Sequence, residues 1–358
     1  MMKQKVLLIL AITSVVLILS YGTIIRIRTN PKNGFERLIK PVNLTVNKVL
    51  KLPSDICFFA GESEGLLHLK NFKDYTSILN VDIRDGFSMS ISDIWKIPNL
   101  PNEIMSQKAV CSSVTDSTIG IVINDSGYMF SIDKSNSNLS SGHGPRTRFD
   151  NVVFLSGKTV IGRNTVVKGE ALSREYVKID YSNGAIQKSY SLRKQADGFF
   201  CTDGKSRFNK TLSRIFYMYA YRGEVDCLDS NLNLLFTINT IDTISQVVIP
   251  LKEIRAHGKL ISITPSTTPS PVNRGIEVSG KNLLLSSALK ADNESDADFN
   301  NNQVVDTYSG IDGKYLFSFY IPKYRGIKLR EFIIHKDQIF AIYGQYLVRF
   351  TCKDNPLY

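Results

Sequence analysis

A few stretches hold residue types whose spacing could do chemistry. "GESEG", Gly61 to Gly65, has the G-x-S-x-G spacing of a nucleophile elbow. An elbow needs a strand before the serine and a helix after it, so that a strained turn exposes the hydroxyl. Here "ICFFA" and "LLHL" flank the motif and both read as strands, which makes it a hairpin turn. In "ADNESDADFNNN", Asp292, Glu294, Asp296 and Asp298 stand at alternate positions. Calcium takes several carboxylate and carbonyl oxygens, but an EF-hand loop also needs Gly sixth and Glu twelfth. Ala297 and Gln303 occupy those places, so a solvated loop between two strands is expected and no metal is assigned.

The ligand-binding candidates come from loops. "GHGPRTRFD" gathers His143, Arg146 and Arg148 in a Gly/Pro loop before a strand, and "CTDG" offers Asp203 at a turn. Arg222 sits with Gly223 at the tip of a hairpin in "RIFYMYAYRGEVDCLD". His143, Arg146, Asp203 and Arg222 are therefore the candidates for the mouth of a channel, on the condition that the strand after Arg148 is the innermost of its sheet. Turn and linker chemistry is the competing account of each. Walker A, HExxH and CxxC patterns are absent, and the histidines (His68, His143, His257, His335) are scattered. No catalytic residue and no cofactor is assigned.

The elements that must position these residues are short strands. Ile215 to Tyr221 is dense in aromatic and β-branched residues and suits a strand buried on both faces; Arg222-Gly223 is a turn; "EVDCLD" and Leu234 to Ile238 follow as further strands of an antiparallel meander. In "EVDCLD", Val225, Cys227 and Asp229 would share one face. Similar apolar runs recur as "LLHLKN", "TIGIVIN", "TVIGR", "NLLLSS" and "QIFAIY", and from Leu66 to Gln338 the mean interval is about 54 residues. That spacing fits a six-bladed β-propeller, with five or seven blades as the neighbouring counts. The last unit, "REFIIH", "QIFAIY" and "QYLVRFTC", has only three strands before the chain ends. The alternating "LTVNKVLKL" near the N-terminus is expected to supply the fourth and so remove the free edges. "TPSTTPSPVN", Thr264 to Asn273, reads as a loop projecting from one face.

The net charge of +11 is local: residues 1–51 hold nine Lys or Arg and one acid, leaving 35 bases against 32 acids elsewhere. A nearly neutral body argues against nucleic-acid binding, which needs basic charge gathered on one face. Val6 to Ile25 carries no charge over twenty residues, about 30 Å as a helix and enough to cross a bilayer. An uncleaved signal anchor is favoured over a cleaved signal peptide ending near Ser20-Tyr21-Gly22. Positive charge flanks both ends, so charge alone leaves the orientation open. The five cysteines are widely spaced and mostly lie within apolar runs, as buried thiols do, with one disulfide possible if the body is exported.

"DGFFCTDGKSRFNK", "LDSNLNLLFTINTIDTIS" and "YLFSFYIPKYRGIKLREFIIHKDQIFAIYGQYLVRF" resemble uncharacterised bacterial TolB-like six-bladed β-propeller proteins with an N-terminal export or anchor segment. The resemblance covers roughly residues 33 to 352 and is strongest after Asp197. It implies an extracytoplasmic, periplasmic setting and carries no catalytic residue. The expected organisation is an anchor over 1–28, a basic juxtamembrane stalk over 29–42 and an all-β propeller over 43–358. The expected role is a non-catalytic, membrane-tethered binding or scaffold module, held by residues 6–25, for a protein, peptide or glycan ligand. An enzyme of hydrolase or lyase type, with its site at the channel mouth, is the alternative.

Overall fold

The protein is described by a computed structural model covering residues 13–17, 20, 32–63, 65–71, 74–84, 86–93, 110–115, 117–124, 126–136, 138–145, 148–155, 158–168, 171–257 and 259–353. Most of the apolar segment 6–25 lies outside these residues, as does Arg146. Among the described residues no helix is long and apolar enough to cross a membrane.

The architecture is all-β, and its strands fall into antiparallel four-strand sets in chain order. The first is β2 (Cys57–Ser63), β3 (Leu66–Asn71), β4 (Asp74–Asp82) and β5 (Met89–Asp93); the next is β6 (Val110–Val114), β7 (Thr118–Ile123), β8 (Tyr128–Asp133) and β9 (Leu139–His143). A single parallel pairing, Gly61 with Val114, joins these two into one eight-stranded sheet. Then come β10 (Phe149–Phe154) with β11 (Thr159–Lys168), β12 (Ala171–Asp180) and β13 (Ala185–Ser191), and β14 (Gly204–Asn209) with β15 (Arg214–Tyr219), β16 (Glu224–Asp229) and β17 (Leu234–Asn239). A two-stranded hairpin follows, β18 (Leu251–Ala256) and β19 (Lys259–Pro265). After it stand β20 (Asn273–Ser279), β21 (Asn282–Ser287), β22 (Asn302–Ser309) and β23 (Tyr315–Pro322), and last β24 (Glu331–His335), β25 (Gln338–Tyr343) and β26 (Tyr346–Lys353).

The missing fourth strand of the last sheet is β1 (Asn43–Lys51), which pairs antiparallel with β26 from Asn43 opposite Lys353 to Lys51 opposite Tyr346. The expected terminal pairing is therefore present, with a register shift between Val46 and Lys48. The recurrent apolar runs are β3, β7, β11, β15, β21 and β25, the second strand of each set. A second strand is flanked by paired strands and packed on both faces, which is why β15, β21 and β25 are buried at nearly every position and carry no polar alternation.

Core clusters lie between consecutive sets. Ile78 packs with Ile121 and Phe130; Val122 and Met129 with Phe149 and Val177; Tyr176 with Tyr217; Phe216 and Val225 with Leu283 and Tyr308; Phe319 and Ile321 with Phe332 and Phe350. A further cluster joins the last set to the first, through Phe340, Ile342 and Leu347 against Leu67, Leu69 and Val81. Apolar contact thus runs round the whole series and returns to its start.

Some expectations change. The stretch 33–40, read as part of a free stalk, lies on the body: Ser318 N–H donates to the Leu38 carbonyl and Lys40 N–H to that of Ser318. Arg37 is fully buried there between Glu294 and Asp306, so its charge is already neutralised. The β18–β19 hairpin was not foreseen, and it absorbs Thr264 and Pro265 of the expected loop. "EVDCLD" is buried from Val225 through Leu228 on both faces, because Asp226 takes hydrogen bonds from Tyr190, Tyr219, Thr237 and Arg193. Cys57, Cys201, Cys227 and Cys352 are buried thiols outside any disulfide, and the Cys111 side chain lies outside the described residues.

Candidate functional site

In an antiparallel four-strand set the start of the first strand, the turn between second and third, and the exit of the fourth lie at one end, called here the starting end. A cavity of about 520 Å³ is lined by first strands: Phe59 to Glu62 of β2, Ser113 and Val114 of β6, Asn151 to Val153 of β10, Ser206 to Asn209 of β14, Glu277 and Val278 of β20, and Ile333 and Ile334 of β24. Lys70 of β3 joins them, with Thr115, Lys210, Thr211 and Gly280 of the turns that follow β6, β14 and β20, at the end opposite the starting end. First strands come together because each must present a backbone close to its neighbour, and Gly61 shows how close. Its φ is +156°, and a Cβ there would meet the Val114 carbonyl oxygen at 1.9 Å. The glycines of "GESEG" therefore serve a close approach and a turn, the latter at Gly65 with φ +76°.

Charge gathers in the wall. Arg207 Nε donates to Glu277 at 3.0 Å, and its terminal nitrogen lies 3.9 Å from Glu331. Beside the wall, Lys205 lies 4.0 Å from Glu331 and is attracted by Asp203 as well. Glu331 also accepts from the Phe59 backbone N–H at 3.1 Å. Burial raises the Glu277 carboxyl above the usual range, with Arg207 pulling the other way. Burial likewise lowers the Lys205 ammonium, against the attraction of Glu331. Both groups are thereby pushed toward neutrality, Glu277 because it is closed off from bulk water and Lys205 less so, since 39% of its side chain stays open. The Arg207 side chain keeps 28% of its surface open although it lies deep in the body, because it borders the cavity.

A second charged group stands nearby at the starts of β10 and β14. Arg163 is paired with Asp150 at 2.5 Å and donates to the Tyr217 hydroxyl at 2.8 Å and the Gly204 carbonyl at 3.1 Å. Arg174 donates to Asp203 at 2.7 Å and lies over the Phe199 ring. Asp203 is thus at the starting end, as its turn position suggested, with its carboxylate 41% exposed but already held by two arginines. Arg222 is at its hairpin tip, also at this end, but the side chain turns inward and is 0% exposed. It stacks on Tyr219 and donates to Glu224, the Cys201 carbonyl and the Arg193 carbonyl. His143 closes β9, the outermost strand of its set, against the Tyr128 ring at 3.9 Å between centroids. The strand after Arg148, β10, is innermost as the condition required, yet His143 belongs to the preceding outer strand. Of the four candidates, then, Asp203 stands by the charged wall, Arg222 and His143 are engaged elsewhere, and Arg146 is outside the described residues.

Sequence reasoning passed over Lys205, Arg207, Glu277 and Glu331. The only signal was an alternation of charge within strands that otherwise read as apolar, in "GKSRFN" and "RGIEVS". It also passed over the surroundings of Ser63. Ser63 Oγ lies 2.6 Å from His68 Nε2, His68 Nδ1 2.7 Å from Asn80 Oδ1, and Asn80 Nδ2 donates to Ser92. The amide oxygen accepts from Nδ1–H, which leaves Nε2 to accept the serine proton, the polarity of a nucleophile triad. Lys134 also donates to Ser63, however, and Ser63 and His68 are 2% and 4% exposed. A sealed hydroxyl has no room for an electrophile, and the network ties β2, β3 and β4 to the loop after β8.

The acid-rich loop holds no metal-like cluster among the described residues. Asp292 accepts the backbone N–H groups of Asn33 and Gly34; Glu294 accepts from Ala291 N–H and Tyr320; Ser295 caps a six-residue helix, Asp296–Asn301.

No family model matches the chain, and no curated protein does. Among solved structures it is similar to the crystal structure of a member of the DUF4221 family from Bacteroides vulgatus, at 14% identity over 87% of this chain and 98% of that one, with a TM-score of 0.55. It also matches a streptogramin B lyase (11% identity, 87% and 98% covered, TM-score 0.47) and the Pan2 WD40 domain of Neurospora crassa (8%, 90% and 99%, 0.48). At such identities the first likeness speaks to the fold alone, and the fold is all-β with propeller-like neighbours.

Proposed function

We propose that the four-strand sets are the six blades of a closed β-propeller, and that the protein is a binding module whose ligand site is the shared cavity. The return of apolar contact from the last set to the first and the first-strand lining of the cavity support the ring. The observation that carries the binding role is the charge of the wall: Arg207, Lys70 and Lys210 line the cavity against Glu62 and Glu277, an excess of one positive charge. An excess of positive charge around a cavity favours an anionic group on a small ligand. Residues 6–25 would hold the propeller on the membrane, on the extracytoplasmic side. Titrating the full chain with a panel of small carboxylates and phosphates by calorimetry tests this. Binding that Arg207→Met abolishes is expected, and a panel without one saturable ligand would remove the anion site.

The opposed displacements of Glu277 and Lys205 favour one second reading, a hydrolase or lyase using them as acid and base. Turnover lost in Glu277→Gln while the ligand still binds would establish it.

A further inference from the structure

The β18–β19 hairpin is built unlike the rest of the body. All six residues of β18 are exposed, so Leu251 and Arg255 on one face and Lys252 and Ile254 on the other both look outward. Val248, Leu251 and Ile254 are 85%, 36% and 44% exposed. A two-stranded ribbon is marginal in water, and here only the β19 strand is partly covered, over Ser262–Pro265. It needs a surface to lie against.

The chain itself indicates which surface. Asn33 is pinned to the body: its carbonyl accepts from Thr243, its backbone N–H donates to Asp292, and its side chain donates to the Lys290 carbonyl. Thr243 lies in the connection after β17 and Asp292 in that after β21, both at the starting end. Eight residues separate Ile25, the end of the apolar segment, from Asn33, a reach of at most about 28 Å. Another eight lead from Thr243 along the same connection to Leu251. A short tether fixed at this point brings the starting end, and the hairpin that grows from it, toward whatever holds residues 6–25. The charge fits as well. Lys252, Arg255 and Lys259 against Glu253 give the hairpin a net +2 beside its exposed aliphatic side chains, the combination that favours an anionic bilayer interface.

We infer that the β18–β19 hairpin is a second membrane contact, laying the face of Lys252 and Ile254 on the interface of an anionic bilayer. With the tether, it turns the starting end of the body toward the lipid surface. The inference rests on the reading of residues 6–25 as the membrane segment, and its consequence is that the end of the cavity bordered by Thr115, Lys210 and Gly280 faces away from the bilayer.

The test uses the full chain in vesicles of phosphatidylcholine and phosphatidylglycerol. An environment-sensitive fluorophore is placed singly through Ile254→Cys, Ser14→Cys or Ile311→Cys, the last on the β22–β23 turn at the opposite end. Nitroxide-bearing lipid should quench the label at 254 and at 14 and leave that at 311 unchanged. Reversing Lys252 and Arg255 to Glu should weaken the quenching at 254 by about fivefold or more in phosphatidylglycerol vesicles, with circular dichroism confirming the fold. A label at 254 that stays unquenched while that at 14 is quenched overturns the hairpin contact and leaves the anchor standing. An unquenched label at 14 removes the anchor reading instead, and quenching at 254 then supports the hairpin as a membrane contact by itself.

Discussion

Arg37 and Arg207 each stand between two carboxylates, and their surroundings differ. Arg37 is 0% exposed, as is Glu294, and Asp306 is 5% exposed; Arg207 is 28% exposed, with Glu277 and Glu331 at 10% and 12%. Arg37 makes paired hydrogen bonds to Asp306 at 2.7 and 3.1 Å, a further one to Glu294, and a fourth to the Leu289 carbonyl at 3.0 Å. Glu294 is completed by Tyr320 and Ala291, and Asp306 by Ser318. Every strong donor and acceptor there has found a partner within the chain, so the cluster can only hold the 33–40 segment in place. Arg207 has one close carboxylate and one at 3.9 Å, and it borders a cavity. A saturated cluster fastens structure; an unsaturated one beside open volume is where a ligand can still gain something.

The largest expected effect breaks the first cluster. Arg37→Met leaves two buried carboxylates unpaired and should cost about 3–5 kcal/mol, read from urea unfolding; a loss below about 1 kcal/mol would mean that the 33–40 segment does not hold the body together. Arg207→Met should cost less, about 1–2 kcal/mol, because cavity water can solvate Glu277 and Glu331. If the two losses prove equal, the distinction between fastening and binding clusters fails.

A smaller effect concerns pH. Glu277 has a folded-state pKa above its unfolded value, so the native state binds more protons than the unfolded one in the window between them. Stability contributed by this group is present below the unfolded carboxylate pKa and falls as pH rises through the folded one. Glu277→Gln should flatten that decline, seen as a smaller drop in melting temperature from acidic toward neutral pH. Lys205 has the opposite displacement: its folded pKa is lowered, the native state binds fewer protons between the folded and unfolded values, and stability rises with pH through that window. Lys205→Met should remove the rise. The smallest effect is expected at His143, on an outermost strand against Tyr128. His143→Ala should change stability by no more than about 0.5 kcal/mol and leave ligand titrations unchanged.

Much of this frame could be read from residues in order. Six apolar runs became the second strand of each set, because a strand packed on both faces cannot carry polar alternation. The missing edge of the last sheet pointed to Leu44–Leu50, since a free row of N–H and C=O groups at a sheet edge needs a partner. The cavity was harder to see. Its cations and carboxylates sit one or two to a strand on β14, β20 and β24, and each pair looks like ordinary surface polarity until separate sheets meet. His143 misled because a loop before an innermost strand also follows an outermost one.

The order of residues by itself determined where strands fall and which ends of the chain seek each other, since period, burial and edge pairing are local or nearly local demands. Only the tertiary structure decided which charges are spent and which are left over. Arg37 is neutralised by Glu294 and Asp306, more than 250 positions away, and Arg207 faces open volume across separate sheets. An ion pair's worth depends on the water left around it, and that water is fixed by how the sheets pack.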